Sequence, residues 1–296
     1  MKLFLKPNND SEENLVSEIY DIYQGIGKEI NIDLRFTKYD GLSQIVIYNK
    51  LYLIGCGLNN MDSRTNFTSS HLLRIDFNED CIPHIKMFVS SEFPHYMPAL
   101  ANFKNEEIYV IGGKNNVTCE LFLIKYNRWK KLKSLPSERF GCSVIFENNS
   151  KSLYLFGGTN TSTNTINLSV LKYNLKLNLE WETLIVTNNS SLLQRSFSGC
   201  FLLSKNDTII LLGGSTSVNT ETDDIIEYNI LTKTATKKDY KLSKYAVFKS
   251  SSHFEEDEIN ILFYGFDSDN VIHKIDVVKK NSSNFSKEDY LISDGF

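Results

Sequence analysis

The side chains in this 296-residue chain best suited to metal binding or covalent chemistry are five histidines and five cysteines. His71, His84, His95, His253 and His273 stand isolated in sequence, so a metal centre would have to be gathered from distant strands, and scattered packing or surface imidazoles are the simpler expectation. Cys56, Cys81, Cys119, Cys142 and Cys200 are odd in number and form no CxxC pair, which suggests neither a disulfide framework nor a zinc site. Cys142 and Cys200 lie inside apolar runs and read as small buried hydrophobes. Asp267-Ser-Asp269-Asn270 opens like a calcium loop, but the sixth position lacks glycine and Val278 stands where the bidentate glutamate belongs. There is no P-loop, no HExxH and no GxSxG, and Gly25-Ile-Gly27 lacks the third glycine of a dinucleotide fingerprint. No catalytic residue, metal or cofactor is therefore expected. Two basic clusters remain, Lys130, Lys131 and Lys133 beside Trp129, and Lys233, Lys237, Lys238 and Lys241. With 32 basic against 36 acidic residues and a net charge of −4, they read as solvated faces rather than a nucleic-acid surface.

The elements that would position any site emerge from the glycines. Composition is ordinary for a globular chain, at 41% hydrophobic and 23% charged, and the length exceeds what needs disulfide staples. No apolar run approaches membrane-spanning length, and MKLFLKPNNDSEEN is too short in apolar residues for a secretion signal, so a reducing, cytoplasmic location is expected. The N-x-S/T matches, Asn66 and Asn116 among them, then read as turn-rich composition. One phrase recurs: Leu51-Tyr-Leu-Ile-Gly55-Cys-Gly57, Ile108-Tyr-Val-Ile-Gly112-Gly113, Leu153-Tyr-Leu-Phe-Gly157-Gly158, Ile209-Ile-Leu-Leu-Gly213-Gly214 and Ile261-Leu-Phe-Tyr-Gly265. Each is a buried strand ending at a position that wants no Cβ. An apolar run and a polar turn precede each phrase, and a third strand follows it, ending Tyr126-Asn127, Tyr173-Asn174 and Tyr228-Asn229 in three cases. A fourth segment carries Trp129 or Trp181, so each unit holds four strands, the content of a propeller blade. The glycine intervals are roughly 45 to 57 residues.

These glycine doublets, Tyr-Asn endings and tryptophans resemble the kelch family of β-propellers over about residues 40–293. The resemblance implies an all-β, kelch-type propeller of five recognisable four-stranded repeats over residues 37–296. Gly55, Gly57, Gly112, Gly113, Gly157, Gly158, Gly213, Gly214 and Gly265 would be its structural repeat glycines. Tyr126, Trp129, Tyr173, Trp181 and Tyr228 would be aromatics packed between blades. It departs from the pattern at Gly55-Cys-Gly57, at the single Gly265, and in repeats one, four and five, which lack tryptophan. Residues 1–36 are expected to hold a helix over Ser11–Ile26 and strands that complete a sixth blade; the alternatives are a five-repeat propeller with a helical N-terminal appendage, or a fragment of a longer chain.

The function the resemblance implies is a non-catalytic interaction or scaffold module presenting loops to a protein partner, with cytoskeletal proteins or ubiquitin-ligase substrates as candidates, and neither nucleic acid nor membrane. Candidate loops are Leu58–Ser70, Asn115–Thr118, Thr159–Leu168 and Ser215–Asp224. Arg139 and Arg195 open the first strands of repeats three and four, a position that borders the channel mouth in such propellers. Each either docks an acidic or polar partner group or forms an inter-blade salt bridge. The alternative is an enzyme or small-molecule binder at the channel mouth, either copper-radical oxidase-like or sugar-processing.

Overall fold

The computed structural model describes residues 5–7, 15–21, 26–32, 43–47, 50–55, 70–77, 83–177, 180–203, 207–217, 220–242 and the strands within 253–285. Strands β1 (Leu5–Pro7), β2 (Leu15–Asp21) and β3 (Ile26–Ile32) form one antiparallel sheet. The helix expected over Ser11–Ile26 is not found there, because Leu15–Asp21 runs extended and pairs with β3 from Leu15↔Ile32 to Asp21↔Ile26. Most of the apolar positions spaced for a helix (Val16, Ile19, Ile22, Tyr23, Ile26) are β-branched or aromatic. Such residues lose rotamer freedom in a helix and suit a pleated sheet.

Four meandering sheets of four strands follow. The first comprises β4 (Ser43–Ile47), β5 (Lys50–Ile54), β6 (Leu73–Phe77) and β7 (Pro83–Met87). The second comprises β8 (Ala99–Phe103), β9 (Glu107–Ile111), β10 (Cys119–Leu123) and β11 (Arg128–Lys131). In the third, β12 (Ser143–Glu147) and β13 (Ser152–Phe156) precede a short hairpin of β14 (Thr159–Asn160) and β15 (Thr165–Ile166), after which β16 (Val170–Asn174) and β17 (Glu182–Leu184) complete the sheet. The fourth has the same plan: β18 (Gly199–Leu203), β19 (Thr208–Leu212), a hairpin of β20 (Ser215–Ser217) and β21 (Thr220–Glu221), then β22 (Asp224–Asn229) and β23 (Thr234–Lys241). Two hairpins end the series, β24 (His253–Glu256) with β25 (Ile261–Tyr264), and β26 (Ile272–Asp276) with β27 (Asn281–Phe285). First strands lie beside first strands, β4 by β8, β8 by β12 and β12 by β18, so the blades fan out from a common axis. The architecture is all-β and propeller-like, with four four-stranded blades among the described residues.

The hydrophobic core is divided into slabs between blades, which explains why the second strand of each blade reads as an unbroken apolar run. In β9, Ile108 and Val110 join the core shared with the first blade, while Tyr109 and Ile111 join that shared with the third. In β13 the alternation repeats, with Leu153 and Leu155 facing back and Tyr154 and Phe156 facing the fourth blade. A sheet covered on both faces has no polar side to alternate with. Each fully buried aromatic or aliphatic side chain contributes about 1.5–3 kcal/mol, so adjacent blades stabilise each other far more than any blade stabilises itself.

Candidate functional site

The glycine doublets are where blades are joined. Gly55, Gly112, Gly113, Gly157, Gly158, Gly213 and Gly214 all have positive φ; Gly57 and Gly265 lie outside the described residues. The demand is sharpest at Gly157, where a Cβ would fall 1.7 Å from the Arg195 carbonyl oxygen at φ +56°. The close approach exists because Gly158 N–H donates to that same carbonyl at 2.8 Å. One blade earlier Gly113 N–H donates to the Arg139 carbonyl at 3.0 Å. The residue leading into the third and into the fourth blade thus accepts a hydrogen bond from the second glycine of the blade before.

Its side chain then turns to its own blade. Arg139 Nη1 donates to Gly157 O at 3.2 Å and Ser169 O at 2.9 Å, while Nη2 donates to Ser169 Oγ at 2.6 Å. Arg195 Nη1 donates to Gly213 O at 2.9 Å, Nε to Leu192 O at 2.7 Å, and Nη2 meets Asp224 Oδ2 at 3.4 Å. His95 occupies the matching place in the second blade, with Nδ1 2.8 Å from Gly112 O and Nε2 2.8 Å from Glu120 Oε2. The next residue pairs with the one after the doublet in each case: Lys114 N–H donates to Tyr96 O, Thr159 N–H to Phe140 O, and Ser215 N–H to Ser196 O. Three blade entries therefore share one backbone plan, with His, Arg and Arg as side-chain clamps. The position after next is left-handed each time, at Met97 (φ 53°), Gly141 (φ 61°) and Phe197 (φ 54°).

The arginines expected to meet a partner are only 2% and 4% exposed, and their guanidiniums are engaged inside the protein. Burial lowers the Arg139 pKa, and no carboxylate stands beside it among the described residues. Burial also lowers that of Arg195 by more than Asp224 restores. Burial alone would raise the Asp224 carboxyl, but Lys237 at 2.7 Å and then Arg195 bring it below the usual carboxylate range. Of the two alternatives for these arginines, an ion pair exists, among the described residues, at Arg195 alone. It closes within the fourth blade rather than between blades, because Asp224 starts that blade's own third strand.

The aromatics divide differently from their sequence pattern. Tyr173 and Tyr228 are fully buried on the face toward the preceding blade, but Tyr126 is 68% exposed. Cross-strand register gives the reason. Leu153 pairs with Tyr173 and Ile209 with Tyr228, whereas the equivalent Ile108 pairs with Phe122. Phe122 fills the tyrosine's place, and a single 3-10 turn over Ile124–Tyr126 carries the Tyr-Asn pair out to solvent. Trp129 and Trp181 do bridge blades. Their ring centroids lie 5.0 Å from Phe122 and 5.1 Å from Tyr173, and their indole N–H groups donate to Val89 O at 2.7 Å and Lys133 O at 2.9 Å. In the fourth blade the matching residue is Ala235, and Asn188 and Asn189 reach over from the third blade to bond its N–H and C=O.

The exposed chemistry of the glycine end lies in the β14–β15 and β20–β21 hairpins, whose tips carry Thr163, Asn164, Ser217 and Thr220. The β14–β15 hairpin is tied to neighbouring segments by Asn115 N–H to Thr161 Oγ1 at 3.2 Å and Ser162 Oγ to Glu138 Oε2 at 3.2 Å. The loop over residues 58–69, the Asp267–Asn270 turn and the side chains of His253 and His273 lie outside the described residues. The described thiols, Cys119, Cys142 and Cys200, are not poised for nucleophilic work. Burial pushes Cys119 and Cys200 up to about 12 and Cys142 to about 11.

No family model matches the chain, and no curated protein matches it. Among solved structures, one described as "Structure of YjhT" aligns with a TM-score of 0.56 over 78% of this chain and 73% of its own, at 14% identity. The likeness is one of fold. It places the blades in a propeller-like arrangement and says nothing of a ligand. The described residues also contain no helix long and apolar enough to cross a membrane.

Proposed function

We propose that the chain is a kelch-type propeller acting as a non-catalytic, cytoplasmic interaction module that presents its glycine-end loops to a protein partner. The observation that carries this reading is the contrast at that end. A backbone plan repeats across three blade entries, while the hairpins rising from it differ in length and sequence. A rigid frame bearing variable loops is suited to recognition. The kelch reading draws on the doublets, the junction clamps and the two bridging tryptophans. In it, β24–β27, with β25 beside β26, supply the fifth repeat, and β1–β3 contribute to a sixth blade. Cytoskeletal proteins and ubiquitin-ligase substrates are the partner classes in this reading.

The test is affinity capture with the chain as it is and with the two hairpin tips (residues 161–164 and 217–220) replaced by Gly-Ser. A captured partner lost in the variant, at unchanged thermal stability, is the expected result. Stoichiometric copper in the purified protein, or a captured set indifferent to the replacement, would overturn it.

A further inference from the structure

The hairpin end of the molecule, opposite the glycine loops, holds a cleft that the reading above does not use. It has a volume of about 250 Å³ and lies between the second and third blades. Its floor is apolar and aromatic: Phe103 and Phe146 meet at 4.4 Å between centroids, and Tyr109 stacks on Phe146 at 5.8 Å. Its rim is basic, formed by Lys130, Lys151 and Lys176. The Lys151 ammonium stands 4.5 Å from the Phe103 centroid, and Lys104 stands 5.2 Å from it.

These lysines differ from Lys133 and those of β23 in what opposes them. Lys133, Lys237, Lys238 and Lys241 have carboxylate partners at 3.0, 2.7, 2.8 and 2.9 Å. Among the described residues, none of Lys104, Lys130, Lys151 and Lys176 forms an ion pair. The single carboxylate lining the cleft, Glu107, accepts the Tyr109 hydroxyl at 2.5 Å. Glu147, nearby, is turned inward onto the Asn149 and Ser150 N–H groups of its own hairpin. A net-acidic protein here sets three lysines and one carboxylate around an aromatic floor, an excess of positive charge.

Each half of that description selects a ligand feature. A rim with an excess of positive charge attracts anions and steers them in. An aromatic floor of this size accommodates one apolar or aromatic side chain, and such an anchor shielded by a polar ring is how interfaces concentrate their affinity. A free inorganic anion would leave the floor unused. A nucleic acid follows a continuous basic groove with successive stacking rings, and here three lysines rim a single cleft in a chain of net charge −4.

We infer that this cleft binds an acidic peptide segment of a protein partner, seating one apolar or aromatic side chain against Phe103 and Phe146 with flanking Asp or Glu residues on Lys130, Lys151 and Lys176. The inference rests on the interaction-module reading and adds a second surface to it, at the opposite end.

The experiment is selection from a random peptide library displayed on phage, using the full chain, followed by binding of the enriched peptides to variants. The expected enrichment is an apolar or aromatic residue flanked by acids. Binding should fall by at least about tenfold in Lys130→Gln/Lys151→Gln/Lys176→Gln and weaken with rising salt. These substitutions neutralise exposed or half-buried side chains, so an unchanged melting temperature is expected alongside. Enriched peptides that ignore the lysine variant but are lost on replacing residues 161–164 and 217–220 would sink the cleft and leave the module standing. No enrichment at all would count against both. A polyuridine oligomer binding through the same lysines would overturn the choice of occupant.

Discussion

Gly157→Ala measures how much a blade junction is worth. An alanine there incurs two distinct costs. The left-handed backbone disfavours any L side chain by about 1–2 kcal/mol, a term shared with Gly112, whose φ is +62°. The second cost belongs to Gly157, because its new Cβ would lie 1.7 Å from the Arg195 backbone oxygen. At Gly112 the nearest atoms are Arg139 O and the movable end of Leu135, both at 2.9 Å. Relieving the Gly157 clash means moving a backbone carbonyl by more than an ångström. That breaks the 2.8 Å bond from Gly158 N–H to Arg195 O and disturbs the Arg139 bond to Gly157 O. Two buried bonds at about 1 kcal/mol each and a stranded polar group at about 1–3, added to the backbone cost, bring the expected loss to about 4–7 kcal/mol. For Gly112→Ala the expectation is about 1–3 kcal/mol, since a few tenths of an ångström suffice there. Urea unfolding followed by tryptophan fluorescence and by circular dichroism reads both variants. If the two lose stability to within about 1 kcal/mol of one another, the close approach at the junction is not what fixes Gly157.

Other parts of the frame make separate predictions. His95→Ala should cost about 3–5 kcal/mol, because the buried Glu120 carboxyl loses its imidazole and keeps only the Glu92 N–H at 3.3 Å. The double variant with Glu120→Ala should recover part of that loss, and additive losses in a urea double-mutant cycle would contradict the pairing. Trp181→Phe should destabilise by about 1–2 kcal/mol through loss of the indole bond to Lys133 O, and Trp129→Phe by less, because Trp129 is the more exposed of the two. Equal melting temperatures would argue against the bridging role. The thiols of Cys119, Cys142 and Cys200 titrate at about 12, 11 and 12 against an ordinary 9.0. The unfolded chain therefore releases their protons first, and stability should fall as pH climbs from about 9 toward 12. A flat stability profile over that window, or rapid maleimide labelling of native Cys119, would refute their burial.

The parts of the molecule legible in its sequence are those where the backbone itself limits residue choice. Glycines at 112–113, 157–158 and 213–214 were readable as strand ends because positive φ and close approach exclude other side chains. The second strands were readable because both faces are buried. Tyr126 was misread for a physical reason: the 3-10 turn after Leu123 displaces the Tyr-Asn pair from the buried register, which Phe122 holds instead. The clamps were harder to see because their chemistry changes from blade to blade. His95 reaches Glu120, Arg139 reaches Ser169 and Arg195 reaches Asp224. Only the spacing betrays them, 17 residues from His95 to Gly112 and 18 from each arginine to its glycine. The lysine-rimmed cleft was invisible, since residues 103–132 and 146–176 approach each other only once two blades are stacked.

The junction also sets where the protein can be divided. Read along the sequence, a unit runs from one first strand to the next. In space, the amide of Gly113 waits for the carbonyl of Arg139, and that of Gly158 for Arg195, each supplied by the segment leading into the following sheet. The cooperative unit is therefore out of phase with the sequence repeat and overhangs it at one end. A chain cut cleanly between the third and fourth sheets, just before Arg195, would keep every strand of the third and still leave its last glycine amide without a partner.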